Sequence, residues 1–209
     1  MYIPASFKER QPDRLHDLIV KHPLGLLVTH GDSGLEASPI PFLLYTDEGE
    51  RGVLRAHLAK ANPHWKSLTG DVECLVVFQG PDGYVTPSRY PSKAETHKVV
   101  PTWNYATVQV RGIPKVIEDA AWLRRQLDDL TEFHEKPRPE PWSVSDAPTD
   151  YISSQMKAIV GIEIPIGHIE GKWKVSQNKD DADRQGVING MRSDTDPHQN
   201  LPVANLVDR

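Results

Sequence analysis

Short apolar stretches of strand length, separated by turn residues, constrain the fold of this chain more than any other feature. They form compact apolar runs or alternate apolar with polar residues, as strands of antiparallel sheets do. Turn residues follow several of them, for example at 31–34 and 47–52, and strands joined in this way pair as hairpins. The predicted strands cover residues 24–30, 35–45, 53–57, 72–79, 105–116 and 157–164.

Helical patterns are few, and most of them come late in the chain. Apolar residues with helical spacing predict helices at 12–22, 118–135, 150–156 and 180–191. So few helices cannot supply the crossovers of a doubly wound parallel sheet, and neither Gly-x-Gly-x-x-Gly nor a P-loop occurs. We therefore expect a mainly β protein with helices (α+β), an antiparallel barrel or sandwich with appended helices.

Prolines and glycines set the remaining boundaries. Pro39 and Pro41 predict an edge or a bulge for the second strand, because proline donates no ladder hydrogen bond. The Gly-Pro-Asp-Gly sequence at 80–83 predicts a turn that ends the fourth strand, with a long ordered loop from 84 to 102. Prolines at 137–149 indicate a linking loop, and residues beyond 191 are expected to form a loosely held polar tail.

Charge and composition narrow the classes of function. The net charge of −5, with basic residues scattered among acidic ones, argues against a protein built around duplex DNA. The single cysteine, Cys74, lies in an apolar strand and cannot form an internal disulfide. There is no run of 18 apolar residues and no apolar signal core at the start of the sequence, so we expect a cytoplasmic protein.

The segment 55–65 combines basic side chains with the start of a helix. Arg55, His57 and Lys60 lie at the end of a strand, and Asn62-Pro63 begins a helical turn. Cations beside helix N-terminal amides bind phosphate, because positive charge and free N–H donors coincide. The alternative is a basic strand end that faces water.

A second polar segment follows at 171–179. Lys174, Ser176, Gln177 and Asn178 supply one ammonium group and three neutral hydrogen-bonding side chains. Such groups can bind the ring nitrogens, carbonyls or phosphate oxygens of a ligand. They can equally form an ordinary helix-capping turn.

A third candidate is Trp103-Asn104-Tyr105. Two aromatic rings can pack on a flat heterocycle while Asn104 bonds to its edge. The same rings can instead belong to the barrel core.

Metal and hydrolase chemistry have little support in the sequence. None of the nine histidines forms His-Glu-x-x-His or a close pair with cysteine, and no Gly-x-Ser-x-Gly elbow occurs. Cys74 is predicted to be inert packing rather than a nucleophile.

Four separated motifs together resemble the PaiB-type family of FMN-binding negative transcriptional regulators. The resemblance runs from residue 1 to about 190. Its motifs are Met1-Tyr2-Ile3-Pro4 with Phe7, Ala-His-Leu-Ala-Lys-Ala-Asn-Pro at 56–63, Thr-Trp-Asn-Tyr at 102–105 and Lys-Val-Ser-Gln-Asn-Lys at 174–179. It implies an antiparallel split β-barrel of the FMN-binding type at 1–190, with a helical insert around 118–156 and a polar C-terminal tail at 191–209.

The resemblance also implies a homodimer that holds FMN at its interface. Arg55, Ala56, His57, Lys60 and Asn62 would lie around the phosphate and the ribityl chain. Ser38 and Pro39 would border the isoalloxazine. The pocket would be completed by Trp103, Asn104, Lys174, Gln177 and Asn178, some of them from the partner chain.

Three functions are compatible with this resemblance. The first is a negative transcriptional regulator that acts directly or through the flavin; its charge does not support DNA as a direct partner, and no membrane is expected. The second is an FMN-dependent oxidoreductase or flavin reductase, in which the flavin supplies the redox step. The third is a haem-binding or haem-handling protein, with His57 or His64 as axial ligand.

Overall fold

The structure is a computed structural model that describes residues 1–31, 34–68 and 70–208. These residues form ten strands and six α-helices. The strands are β1 (Lys8–Glu9), β2 (Leu24–Gly31), β3 (Gly34–Pro41), β4 (Leu43–Tyr45), β5 (Val53–Ala59), β6 (Cys74–Val85), β7 (Thr102–Gly112), β8 (Lys115–Ile117), β9 (Ile159–Pro165) and β10 (His168–Lys174). The helices are α1 (Pro12–Lys21), α2 (Ser92–Thr96), α3 (Ala120–Glu135), α4 (Thr149–Lys157), α5 (Asp181–Arg192) and α6 (Leu201–Val207).

The chain divides into two compact units. The first unit comprises Met1–Leu18, Gln79–Val108 and Glu170–Arg209, and the second comprises Ile19–Phe78 and Gln109–Ile169. The strand pairs in both units are antiparallel, as the hairpin pattern predicts.

The second unit contains a four-stranded sheet in the order β4-β5-β9-β8. Its central strand β5 alternates: Leu54, Ala56 and Leu58 are buried, whereas Arg55 and His57 lie on the opposite face. That opposite face meets α3 through a hydrogen bond from His57 to Gln126 and a cation–π contact between Arg55 and Trp122. Strands β2 and β3 form a hairpin in the same unit, and β3 is an edge strand, as Pro39 and Pro41 predict. The turn predicted at 31–34 includes Asp32 and Ser33, which lie outside the described residues.

Helix α3 confirms the helix predicted at 118–135, and its first turn explains where it begins. Asp119 is the N-cap, and its carboxylate accepts a hydrogen bond of 2.7 Å from the backbone N–H of Trp122. Leu123 and Gln126 are the buried residues of this helix. A polar side chain therefore lies on the face that packs against the sheet.

The first unit contains β1 and the parts of β10, β7 and β6 that lie within its residues, and these strands are neighbours in that order. The turn predicted at 80–83 is wrong, because β6 continues through these residues to Val85. A Cβ atom on Gly80 would lie 3.1 Å from the carbonyl oxygen of Ala106, so the glycine serves close strand packing instead of a turn. Strand β10 occupies a segment for which the sequence predicts no strand.

Two predicted irregular segments contain helices. The loop predicted at 84–102 includes a 3-10 helix at Pro87–Arg89 and the short helix α2. Within the predicted polar tail, α6 buries Val203, Ala204 and Val207, so this part of the chain is packed rather than loosely held. No helix in the described part of the chain has the length and apolar character needed to cross a membrane.

Candidate functional site

Ser38 and Asn62 belong to one hydrogen-bonded network around His64. His64 Nδ1 lies 2.8 Å from Ser38 Oγ, and its Nε2 lies 2.8 Å from Thr29 Oγ1. Asn62 accepts a hydrogen bond of 3.0 Å from the backbone N–H of His64, and so caps the 3-10 helix Pro63–Leu68. The predicted helical turn is confirmed, although the backbone N–H of His64 already donates to the side chain of Asn62.

The imidazole of His64 is only 2% exposed. Burial lowers its pKa, while the carboxylate of Glu36 acts weakly in the opposite direction. Because both ring nitrogens are hydrogen-bonded to hydroxyl groups, His64 does not present a nitrogen to a haem iron.

Arg55 is already held by carboxylates. Its Nε lies 2.9 Å from Glu163 Oε2, and its two terminal nitrogens lie 2.9 and 2.7 Å from the carboxylate oxygens of Glu48. Its guanidinium also stacks 4.4 Å over the ring of Tyr45. These contacts neutralise the positive charge on which the phosphate prediction for Arg55 rests.

Ala56 and His57, which follow Arg55 on β5, lie on opposite faces of the strand. Ala56 is fully buried in the core, so its side chain is a packing element. His57 lies on the same face as Arg55, and its Nδ1 is 2.8 Å from Oε1 of Gln126 on α3. Pro39 lies on β3, where it pairs with Leu26 of β2.

Lys60 keeps an ammonium group that a ligand can recruit. It forms an ion pair of 2.8 Å with Glu118, and both side chains are well exposed, so solvent weakens the pair. Lys60 borders a cavity of about 360 Å³, large enough for part of a small molecule. Two lysines, one carboxylate and mainly apolar side chains line it: Lys60, Lys157, Glu118, Ser153, Ala120, Leu123 and Met156.

In the first unit, Lys174 lies beside Trp103 and Asn104. Its Nζ donates to the carbonyl oxygen of Trp103 at 2.6 Å and to the hydroxyl of Thr102. Burial lowers the pKa of Lys174, and the nearby Lys172 lowers it further. These partners are neutral oxygens, which leaves the positive charge of Lys174 available to an anion.

Trp103 and Asn104 differ sharply in exposure. Trp103 is 53% exposed and packs edge-to-face on Tyr84, with ring centroids 6.1 Å apart. Asn104 is buried and donates to Ser176 Oγ at 2.9 Å. Trp103 therefore offers a flat surface, whereas Asn104 positions the segment that follows β10.

Gln177 and Asn178 end the second polar segment. Gln177 accepts a hydrogen bond of 2.8 Å from the backbone N–H of Val175 and donates to the carbonyl oxygen of Trp173. Its amide thus stabilises a local turn, the alternative considered for this segment. Asn178 is exposed.

Predictions from the sequence did not include four of the groups that hold these side chains: Thr29, Glu48, Gln126 and Glu163. For Gln126 a signal was present, since it follows Leu123 by three residues and precedes Leu130 by four. A polar residue on the apolar face of a helix indicates a buried partner. Among the described residues, no three His, Cys, Asp or Glu side chains are grouped to hold a metal ion.

Comparisons with known proteins agree with the resemblance found in the sequence. Residues 1–168 match the model of a family described as "Putative FMN-binding domain". An uncharacterized protein of Emericella nidulans is 39% identical, over 92% of this chain and 91% of its own length. Protease synthase and sporulation protein PAI 2 of Bacillus subtilis is 29% identical, over 95% of this chain and 92% of its own.

The fold is also that of a solved structure. A flavocytochrome from Azotobacter vinelandii superposes with a TM-score of 0.57 at 16% identity, over 80% of this chain and 69% of that one. The expected fold, α+β with antiparallel sheets of the split-barrel type, is confirmed.

Proposed function

The chain belongs to the "Putative FMN-binding domain" family, and from this premise we propose that it is an FMN-binding homodimer that acts in transcriptional regulation. The family match over residues 1–168 carries the flavin part of this proposal. FMN is accordingly the cofactor. We also propose the cytoplasm as its location, because Cys74 is a buried free thiol and no disulfide is required.

For the flavin phosphate we favour Lys60 over Arg55. The charge of Arg55 is neutralised by Glu48 and Glu163, and exchanging two partly buried carboxylates for a phosphate is unfavourable. The exposed Lys60–Glu118 pair is weak, and a phosphate can replace Glu118 at little cost.

In the first unit, Trp103 and Lys174 support ring binding. The exposed face of Trp103 suits stacking on the isoalloxazine, and Lys174 supplies a cation whose partners are neutral. Ser38, Pro39 and Asn62 remain proposed neighbours of the ring and the ribityl chain. In a dimer with FMN at the interface, both copies contribute such groups.

The regulatory role is supported by similarity along nearly the whole chain to PAI 2, a protein named for protease synthesis and sporulation. The net charge of −5 favours an indirect effect on transcription over direct binding of duplex DNA. The flavin or its redox state would then be the signal.

The flavin site is tested with Lys60→Ala, and Lys136→Ala serves as a matched control because Lys136 is an exposed lysine at the end of α3. Loss of one charge-assisted phosphate contact should weaken FMN affinity about tenfold, measured by quenching of flavin fluorescence. Lys136→Ala should bind FMN like the wild type. Equal affinity of Lys60→Ala and wild type would contradict the assignment of Lys60.

The role is tested by comparing gene expression with enzymatic turnover. Deletion of the gene should change transcript levels in cells, and re-expression of a variant that does not bind FMN should fail to restore them. Rapid oxidation of NAD(P)H by the FMN-loaded protein, with unchanged transcripts, would contradict a regulator and indicate an oxidoreductase.

A further inference from the structure

A second cavity lies in the second unit, where α3 faces β4 and β5. Its volume is about 310 Å³, within the range of sites for small ligands. Two aromatic rings, two arginines, two carboxylates and one amide line it: Tyr45, Trp122, Arg55, Arg125, Glu48, Asp129 and Gln126. None of the lysines assigned above to FMN is among them.

Gln126 carries a buried donor without an acceptor. The side chain is 1% exposed, and its Oε1 accepts from His57 Nδ1. Within the described residues, Nε2 of Gln126 has no hydrogen-bond partner. If the positions of Nε2 and Oε1 were exchanged, Oε1 would lack a hydrogen-bond donor instead. An unpaired buried polar group is destabilising.

The acceptors around this cavity are already engaged. Glu48 pairs with Arg55, and Asp129 accepts a hydrogen bond of 2.6 Å from the hydroxyl of Tyr45. Glu163, which also pairs with Arg55, lies 3.6 Å from the ammonium of Lys115. Glu48 and Glu163 are therefore engaged by cations, and Asp129 by a neutral hydroxyl.

The groups that remain are both donors. Arg125 is exposed and forms no ion pair with the described residues, and Gln126 Nε2 is the second donor. The unmet requirement is an anionic acceptor, and the aromatic walls of Tyr45 and Trp122 suit a flat apolar body.

We propose that this cavity is a binding site for a small aromatic or unsaturated carboxylate, whose oxygens accept from Arg125 and Gln126 and whose apolar part packs on Trp122. The proposal places this site apart from the flavin site proposed above. Occupancy would tie α3 more firmly to β5, since the ligand contacts residues of both elements.

The test is a titration of the full-length protein with benzoate, followed by the NMR signals of the Gln126 side-chain amide and the Arg125 guanidinium. Both signals should shift together and saturate. Benzamide, which has the same ring without the charge, should bind at least about tenfold more weakly, because it loses the charge-assisted bond to Arg125. No saturable shift with benzoate would overturn the proposal.

Two variants on the same helix make the test specific. Arg125→Gln should weaken benzoate binding about tenfold, while Arg124→Gln should leave it unchanged, because Arg124 pairs with Asp128 and does not line the cavity. Both positions are on the surface, so neither change should prevent folding. If the two variants weakened benzoate binding equally, the binding would be non-specific charge attraction, and the proposal would be overturned.

Further measurements separate this site from alternatives. Gln126→Met should also weaken benzoate binding, with circular dichroism confirming that the variant is folded. In a competition experiment with labelled benzoate, inorganic phosphate should displace the label less effectively than unlabelled benzoate does. Equal displacement would overturn the carboxylate assignment. FMN affinity should be the same in Arg125→Gln and wild type; a parallel loss of FMN binding would show that the cavity belongs to the flavin site.

Discussion

The indole ring of Trp122 lies directly against Gly161 of β9, and a Cβ atom on Gly161 would come within 2.3 Å of Trp122 Cζ3. Gly161 is also the register partner of His57 on β5. The missing side chain thus lets α3 approach the sheet closely enough for Gln126 to contact His57.

Gly161→Ala should consequently displace α3. We expect a loss of about 1–3 kcal/mol in the free energy of unfolding from overpacking, measured by chemical denaturation. Gly167→Ala is the matched control, because the nearest atom to its Cβ would lie 3.5 Å away, at ordinary contact distance. Equal stability of Gly161→Ala and Gly167→Ala would contradict the close packing of α3.

A pH dependence of stability should follow from the buried His64. Because its pKa in the folded protein is lowered by burial, the unfolded chain takes up a proton near pH 6.5 that the folded protein does not. The contribution of neutral His64 to the free energy of unfolding is fully present above that pH. It is lost as the pH falls through about 6.5 towards the lower pKa of the folded protein. From this one group, the free energy of unfolding should change by at most about 1.4 kcal/mol per pH unit.

Between about pH 7.5 and about pH 5.5, a range that brackets the ordinary histidine pKa, the unfolding free energy of His64→Gln should decline less steeply than that of the wild type. His134→Gln, at an exposed position on α3, should keep the wild-type slope. A wild-type slope in His64→Gln would show that His64 does not titrate as described.

Cys74 should be unreactive in the folded protein. Burial raises the pKa of its thiol to about 12, so the thiolate that attacks alkylating reagents is scarce. Iodoacetamide near neutral pH should leave the native protein unmodified and alkylate it fully in guanidinium chloride, as measured by mass spectrometry. Rapid alkylation without denaturant would contradict the burial of this strand.

Arg89 should be important for the stability of the C-terminal segment. Its buried guanidinium binds Asp196 and the carbonyl oxygen of His198, and it passes beside Gly190, whose Cβ would lie 2.7 Å from its Cδ. Arg89→Met should cost roughly 3 kcal/mol of unfolding free energy, because the carboxylate and carbonyl lose their partner. Arg10→Met, at an exposed position, should cost little; equal costs would contradict this role.

The fold was largely predictable because its signals are local. Asp119 and the apolar spacing of α3 lie within one segment, and the alternation of β5 separates Ala56 from Arg55 and His57 within three consecutive residues. The turn predicted at 80–83 failed because Gly80 serves a tertiary contact with Ala106. Propensity alone does not distinguish a glycine that turns the chain from one that admits a neighbouring strand.

The candidate site was less predictable, because its partners are distant in sequence. The motif at 56–63 located Lys60 and Asn62, but nothing near Arg55 indicated that Glu163, 108 residues later, would neutralise it. The same holds for Ser176, which binds Asn104 from 72 residues away. Charge in a motif identifies a candidate ligand group, and only the fold shows which charges are already paired.

Isothermal titration of the purified wild-type protein with FMN, combined with light scattering on the same sample, tests the central claim most directly. We predict saturable binding of one FMN per chain, with the mass of a dimer. A stable monomer that releases no heat with FMN and leaves flavin fluorescence unchanged would contradict the account.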